Sequence, residues 1–262
     1  MSAWSAHFVG RRWLLTQTGR GAVGIAVLGL AACSDSGGST RGSGSGQSAG
    51  SGSAESGPAT GPATAAGELA WSRVDLGFVS AYVLVRGREA AVVDTGVGGS
   101  ADAIGDVLDD AGPGWPGVRH VVLTHKHPDH AGSISDVLDR ASKATGYIGA
   151  DDLTEVDAPR PLSALEDGDD VFGLQIVATP GHTAGHVAVF DADTAVLVAG
   201  DALTTTDGLT GSNPQFTEDE AAAAASVRKL ARLEPRTILV GHGDPLQDGA
   251  SAALRELASS LA

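Results

Sequence analysis

Three of the chain's eight histidines and one aspartate fall inside Leu123-Thr124-His125-Lys126-His127-Pro128-Asp129-His130-Ala131-Gly132. Neutral imidazole and carboxylate are borderline-to-hard donors, suited to zinc, Fe(II) or manganese. The apolar run Val121-Val122-Leu123 leads into them and reads as a buried strand. Pro128 argues against an immediate helical continuation, so the histidines are expected where a strand ends and a loop begins. At a strand end, residues two apart project to the same side, which lets His125 and His127 aim at one point. Asp129 and His130 follow the bend and can aim at a second point nearby. A lone histidine reads as a solvated polar residue. Four donors in six residues behind a buried strand read as a metal site.

The elements that must position these donors follow from apolar patterning. Residues 71–77, 81–85 and 90–93 read as strands, with Gly87 turning the last two. Ile104, Val107, Leu108 and Ala111 share one face of a helix over 101–111. A turn-rich break at 113–117 precedes the strand 118–123. A helix over 134–141 and a short strand at 147–148 follow. Residues 151–170 are acidic and read as irregular. Strands are expected at 171–178, 187–190, 195–198 and 237–240, and helices at 218–233 and 250–261. Four strand ends each run into a glycine-flanked polar loop, and these loops carry His125 to His130, then His182, then Asp201, then His242. Loops at one edge of a sheet sandwich converge on one site.

The front of the chain reads differently. Arg11, Arg12 and Arg20 precede a short apolar run at 21–30, too short for a permanent span. Leu30-Ala31-Ala32-Cys33 resembles a bacterial lipobox and holds the chain's only cysteine. Residues 1–33 are therefore expected to be a lipoprotein signal peptide ending at Cys33. Acyl chains on that residue would anchor the domain to the outer face of the membrane without a spanning helix. Arg11-Arg12-Trp13-Leu14-Leu15 resembles a twin-arginine export signal, and the export route stays open. Residues 34–67 are mostly Gly, Ser, Ala, Thr and Pro and read as a flexible linker. Residues 68–262 are long enough for one substantial core. With no cysteine past position 33, neither a disulfide nor a thiolate ligand is available there. The net charge of −15 counts the basic leader, and clustered Lys and Arg are sparse, which disfavours nucleic acid as a partner.

Thr124-His125-Lys126-His127-Pro128-Asp129-His130, Thr179-Pro180-Gly181-His182-Thr183, Gly200-Asp201 and Gly241-His242-Gly243, preceded by Val93-Asp94-Thr95-Gly96, together resemble the metallo-β-lactamase-fold hydrolase superfamily. The resemblance implies an α/β fold, a four-layer αββα sandwich with a two-metal site at the edge of its sheets. It implies that His125, His127 and His182 hold one metal, that Asp129, His130 and His242 hold the second, and that Asp201 bridges both. Two Zn2+ are implied, with iron or manganese as alternatives. It further implies a metal-bridging hydroxide as nucleophile and Asp129 as the catalytic residue that passes a proton to the leaving group.

Asp201 and the lack of a ligand cysteine look more like the glyoxalase II-type branch than like a true β-lactamase. The helical domain that binds glutathione in glyoxalase II has no counterpart in the twenty residues after His242, so the glutathione thioester is not carried over. The expected substrate is a small molecule with an ester-type bond, a thioester, a lactone or a relative of these. Two other readings stay open: a branch that loads a single iron and oxidises persulfides, and a surface lipoprotein that binds metal or ligand without catalysis. Asp94 reads equally as a residue that orients a ligand and as a turn cap. His186 reads as supporting rather than ligating, His120 as a surface histidine, and Lys126 as pointing away from the metals. Specificity is expected from loops near Tyr82, 151–170 and 204–216. Oligomeric state is not legible.

Overall fold

A computed structural model describes residues 67–261. The leader with its twin arginine and lipobox Cys33, and the linker up to residue 66, lie outside the described residues. Among the described residues no helix is long and apolar enough to cross a membrane.

Strands β1 (Ala70–Asp75), β2 (Ser80–Arg86), β3 (Glu89–Val93), β4 (Val118–Val122), β5 (Thr145–Gly149) and β6 (Ser163–Leu165) lie side by side in chain order as one sheet. The first three pair antiparallel, and β3 through β6 pair parallel. The parallel steps carry helices α1 (Ala101–Ala111), α2 (Gly114–Gly117), α3 (Pro128–Ala131) and α4 (Ile134–Arg140). The second sheet is built from β7 (Asp170–Val171), β8 (Leu174–Ala178), β9 (Val187–Asp191), β10 (Val196–Gly200) and β13 (Thr237–Val240), in the order β13-β10-β9-β8-β7. A small pair, β11 (Leu203–Thr204) and β12 (Thr210–Gly211), stands apart, and α5 (Glu220–Ala231) and α6 (Ala250–Ser260) complete the chain order.

Period-two alternation assigns each strand's side chains to two seams. Val83, Val92 and Val121 face Ile104, Leu108, Val137 and Leu138 of α1 and α4. Their neighbours Tyr82, Leu84, Val93 and Val122 face the other sheet, meeting Ile176, Val189, Val198 and Leu239. On that sheet's far side Leu197, Phe190 and Ile238 pack on Val227, Leu230 and Leu254 of α5 and α6. The layers therefore run helix, sheet, sheet, helix, as expected. Each Val, Leu or Ile taken fully out of water stabilises by about 1.5–3 kcal/mol, so these three apolar seams hold the layers together.

Several expectations need correction. Pro128 does not exclude a helix; it opens α3 at its first position, where the missing N–H has no partner to lose. The expected strand over 171–178 is a hairpin, β7 turning into β8. Phe172 and Gly173 both take left-handed backbone there, at φ 65° and 72°, the pairing that a two-residue hairpin turn requires. The acidic stretch over 151–170 contains a 3-10 helix at Ala150–Glu155 and strand β6. The break at 113–117 holds the single turn α2. Tyr82 itself is fully buried between the sheets, its hydroxyl donating to the Val240 carbonyl at 2.8 Å; the loop before it, with exposed Phe78 against His242, is what borders the site. His120 is half-buried rather than at the surface, packed between the rings of Tyr147 and Phe172.

Candidate metal centre

The site is built at one end of the sandwich, past the C-terminal ends of β3, β4, β10 and β13. His125 and His127 follow β4 directly, and Asp129 and His130 lie on α3. His182 lies in the loop between β8 and β9, Asp201 immediately follows β10, and His242 comes two residues after β13. All seven donors meet. Three groups could each hold a cation: His125, His127 and His182; His125, His130 and Asp201; and Asp129, His130 and His242. Asp201 joins them, with Oδ1 3.3 Å from His130 Nε2 and Oδ2 3.4 Å from His182 Nε2 and 3.2 Å from His242 Nε2.

The outer nitrogen of four of these imidazoles is already committed. His130 Nδ1 faces the Asp94 carboxylate at 2.9 Å, and a carboxylate only accepts. His242 Nδ1 faces the Phe78 carbonyl at 2.7 Å. Thr124 Oγ1 gives its proton to Asp94, so it accepts from His125 Nδ1 at 3.0 Å. Thr217 Oγ1 donates to the Asn213 carbonyl, which leaves Ser212 Oγ to donate to Thr217 and to accept from His182 Nδ1 at 2.8 Å. With Nδ1 protonated, a neutral ring turns a bare Nε2 inward. His127 presents the opposite nitrogen: its Nδ1 lies 3.0 Å from His125 Nε2 and 2.9 Å from His182 Nε2.

Bare lone pairs this close repel unless a positive charge lies among them. His130 Nε2 and Asp201 Oδ1 are buried with no hydrogen-bond partner, a costly condition for polar atoms. At Gly241 a Cβ would come within 2.2 Å of Asp201 Oδ1 and 2.6 Å of His130 Cε1, so the backbone itself closes the site. A divalent cation with nitrogen and oxygen ligands fits this donor set.

Without a cation, protons supply the positive charge at two of the rings. Burial opposes a charge on His130, but the Asp201 and Asp94 carboxylates outweigh it and push its pKa well up. Hydrogen bonds to Asp129 and Asp201 raise His242 to about 10. Burial drives His125 well down and His182 to about 4. Burial also works against an ionised Asp201, yet His130 beside it holds its carboxyl well below the usual range.

The residues around the donors take defined places. Asp94 does more than cap a turn: besides facing His130 it takes the Thr124 N–H at 2.7 Å, from a left-handed backbone at φ 64°. His186 is buried and neutral, its pKa lowered to about 3 by desolvation. Its Nε2 accepts the Asp201 N–H at 3.1 Å, which sets the position of that carboxylate. Lys126 points away, onto Glu155 at 2.7 Å and Glu218 at 2.9 Å. One supporting residue was missed. Asp152 is fully buried and accepts from Lys126 N at 3.1 Å, Thr183 Oγ1 at 2.7 Å and Gly185 N at 2.9 Å, clamping the first histidine loop to the second. Nothing in the acidic run distinguishes it from Asp151, which is exposed.

A fold of two sheets between helices, with imidazoles and carboxylates gathered at the strand ends, defines a class of metal-dependent proteins. The family model of the metallo-beta-lactamase superfamily matches residues 74–242, and the chain belongs to that superfamily. It is similar to "Probable metallo-hydrolase YflN" of Bacillus subtilis, 32% identical over 216 residues, covering 65% of this chain and 81% of that protein. It is also similar to a hydroxyacylglutathione hydrolase of Pseudomonas putida, 33% identical over 156 residues, covering 57% of this chain and 55% of that enzyme. Among solved structures, TTHA1623 in a di-iron-bound form superimposes with a TM-score of 0.56 at 26% identity, covering 66% of this chain and 92% of that one.

Proposed function

We propose that this protein is a hydrolase of ester-type bonds, a thioester, a lactone or a related group, with two divalent cations in its site. His125, His127 and His182 would hold one, Asp129, His130 and His242 the other, and Asp201 both. Zinc suits the donors, and the di-iron relative supports iron as a second occupant of the same set. One observation carries the reading: imidazole nitrogens and carboxylate oxygens from seven residues gather about 3 Å apart, two of these atoms buried with no partner. The similarity to hydroxyacylglutathione hydrolase supports the ester-type bond.

When bound, two such cations supply an activated water and a Lewis acid for the substrate's carbonyl oxygen. The chain's own residues supply orientation and proton handling. Asp94 and His186 fix His130 and Asp201 by hydrogen bonds. Asp129 is only half-buried, with Oδ2 3.4 Å from His242 Nε2. Being the more open carboxylate of the set, it can accept a proton from the site's water. That proton is then available to the leaving group.

The test is a panel of thioester, lactone, β-lactam and phosphodiester substrates on protein of measured metal content. Ester-type turnover that falls at least a thousandfold in His127→Ala supports the reading. Turnover that survives the substitution contradicts it. We also propose that Cys33 is lipidated and tethers the domain to the outer membrane face through residues 34–67. The run Leu30-Ala31-Ala32-Cys33 behind a short apolar segment supports this. Incorporation of labelled palmitate, abolished by Cys33→Ser, is the expected result; equal label in the variant contradicts it.

A further inference from the structure

Two features of the site's rim bear on the part of the substrate that does not react. Phe78 and Phe216 are the large apolar side chains left exposed among the described residues, at 64% and 57%. Single exposed hydrophobic residues are ordinary on a protein surface. These two are not scattered, because each belongs to a segment bonded to an end of the donor set. The Phe78 ring stacks on His242, with centroids 6.2 Å apart and planes 15° apart, and its carbonyl holds that histidine's Nδ1. Phe216 ends the 3-10 turn Pro214–Phe216. Of the next two residues, Thr217 bonds Ser212, the partner of His182, and Glu218 donates its N–H to the His182 carbonyl at 3.2 Å. His182 and His242 themselves meet on one oxygen of Asp201.

Charge at the rim points the same way. Two cationic side chains reach the site's loops, and both are neutralised. Arg73 lies on Asp244 at 2.8 Å and also donates to the Gly243 carbonyl. Lys126 lies between Glu155 and Glu218. Arg88, Lys143 and Arg236 precede β3, β5 and β13, at the strand ends opposite the site. Away from the metal donors, a substrate carboxylate would meet no unpaired Lys or Arg among the described residues of these loops and would have Asp244, Glu155 and Glu218 nearby. β-Lactams and glutathione conjugates both carry such carboxylates.

We infer that the substrate is an uncharged ester-type molecule whose apolar acyl group rests against Phe78 and Phe216. This rests on the hydrolase reading. Remote apolar contact of this kind raises kcat/KM as methylenes are covered, each worth severalfold at full burial.

The test uses the full metal-loaded chain and acyl thioesters from acetyl to octanoyl, with glutaryl as the charged partner of pentanoyl. Expected is a rise in kcat/KM of at least about 10-fold from acetyl to octanoyl, with glutaryl at least about 10-fold below pentanoyl. The double variant Phe78→Ala, Phe216→Ala should shrink the octanoyl-to-acetyl ratio severalfold at the wild-type metal content. Both rings are exposed, so folding should be retained. Hydrolysis with no chain-length preference, or with glutaryl preferred, overturns this inference alone. A double variant that changes binding to phosphatidylglycerol vesicles but not the acyl ratio assigns the rings to membrane contact and also overturns it. No ester hydrolysis at all by metal-loaded protein overturns the hydrolase reading, and this inference with it.

Discussion

The two ends of the sandwich both bury charge between the sheets, and they resolve it differently. At the end remote from the site, Arg86 at the close of β2 meets Asp191 at the close of β9, both almost fully buried. The same guanidinium donates to the carbonyls of Gly67 and Gly173, and Asp191 also takes Thr194. Charge there is balanced within the chain, with only the guanidinium Nε left without a partner. At the other end His125, His130, His182 and Asp201 are just as enclosed, but His130 Nε2 and Asp201 Oδ1 find no hydrogen-bond partner in the chain. The first end locks the sheets together. The second needs something from outside the chain, which is the physical meaning of a binding site.

Breaking the balanced end should give the largest effect on stability. Asp191→Ala leaves a buried guanidinium without its carboxylate, and a loss of about 3–5 kcal/mol is expected by denaturant unfolding. Metal content of the folded fraction should not change, because Asp191 touches no donor. A loss of metal along with stability would show that the two ends are coupled.

Next comes the seam between the ends. Burial raises the Tyr82 hydroxyl from 10.0 to about 12. Between those pH values the unfolded chain has released a proton that the folded chain keeps. Stability from this group is therefore full below pH 10 and lost as pH rises toward 12, by on the order of 2–3 kcal/mol. Alkaline unfolding curves should show that decline in wild type and a weaker one in Tyr82→Phe. Equal decline in both would remove Tyr82 as its cause.

The smallest effects sharpen the comparison within the metal end. Asp94 holds His130 with a buried carboxylate, whereas Ser212 holds His182 with a hydroxyl. Asp94→Ala should lower metal affinity by about 10–100-fold, and Ser212→Ala by less. Competition with a chromogenic chelator ranks the two. Equal losses would mean that charge in the supporting acceptor does not matter.

Much of this was legible in the sequence, for a reason that differs by element. The seven donors stood out because imidazoles and carboxylates clustered where apolar runs stopped, and strand ends in one sandwich share an edge. The β7–β8 hairpin was hidden because it places Phe172 in left-handed backbone, which bulky residues seldom adopt. Tyr82 misled because an aromatic with a hydroxyl suits either a rim or a core; its alternation with Val83 decides for the inter-sheet seam. Asp152 was invisible because its three donors come from loops 26 to 33 residues away in the chain. His186 could be read only as supporting, since the Asp201 N–H it accepts is fixed by a separate strand.

Metal stoichiometry tests the central claim most directly. Elemental analysis of the purified, zinc-loaded chain should find about two cations per chain, about one in His127→Ala and fewer than one in Asp201→Ala. Wild-type protein that retains none after loading, or variants that retain as much as wild type, would contradict the account.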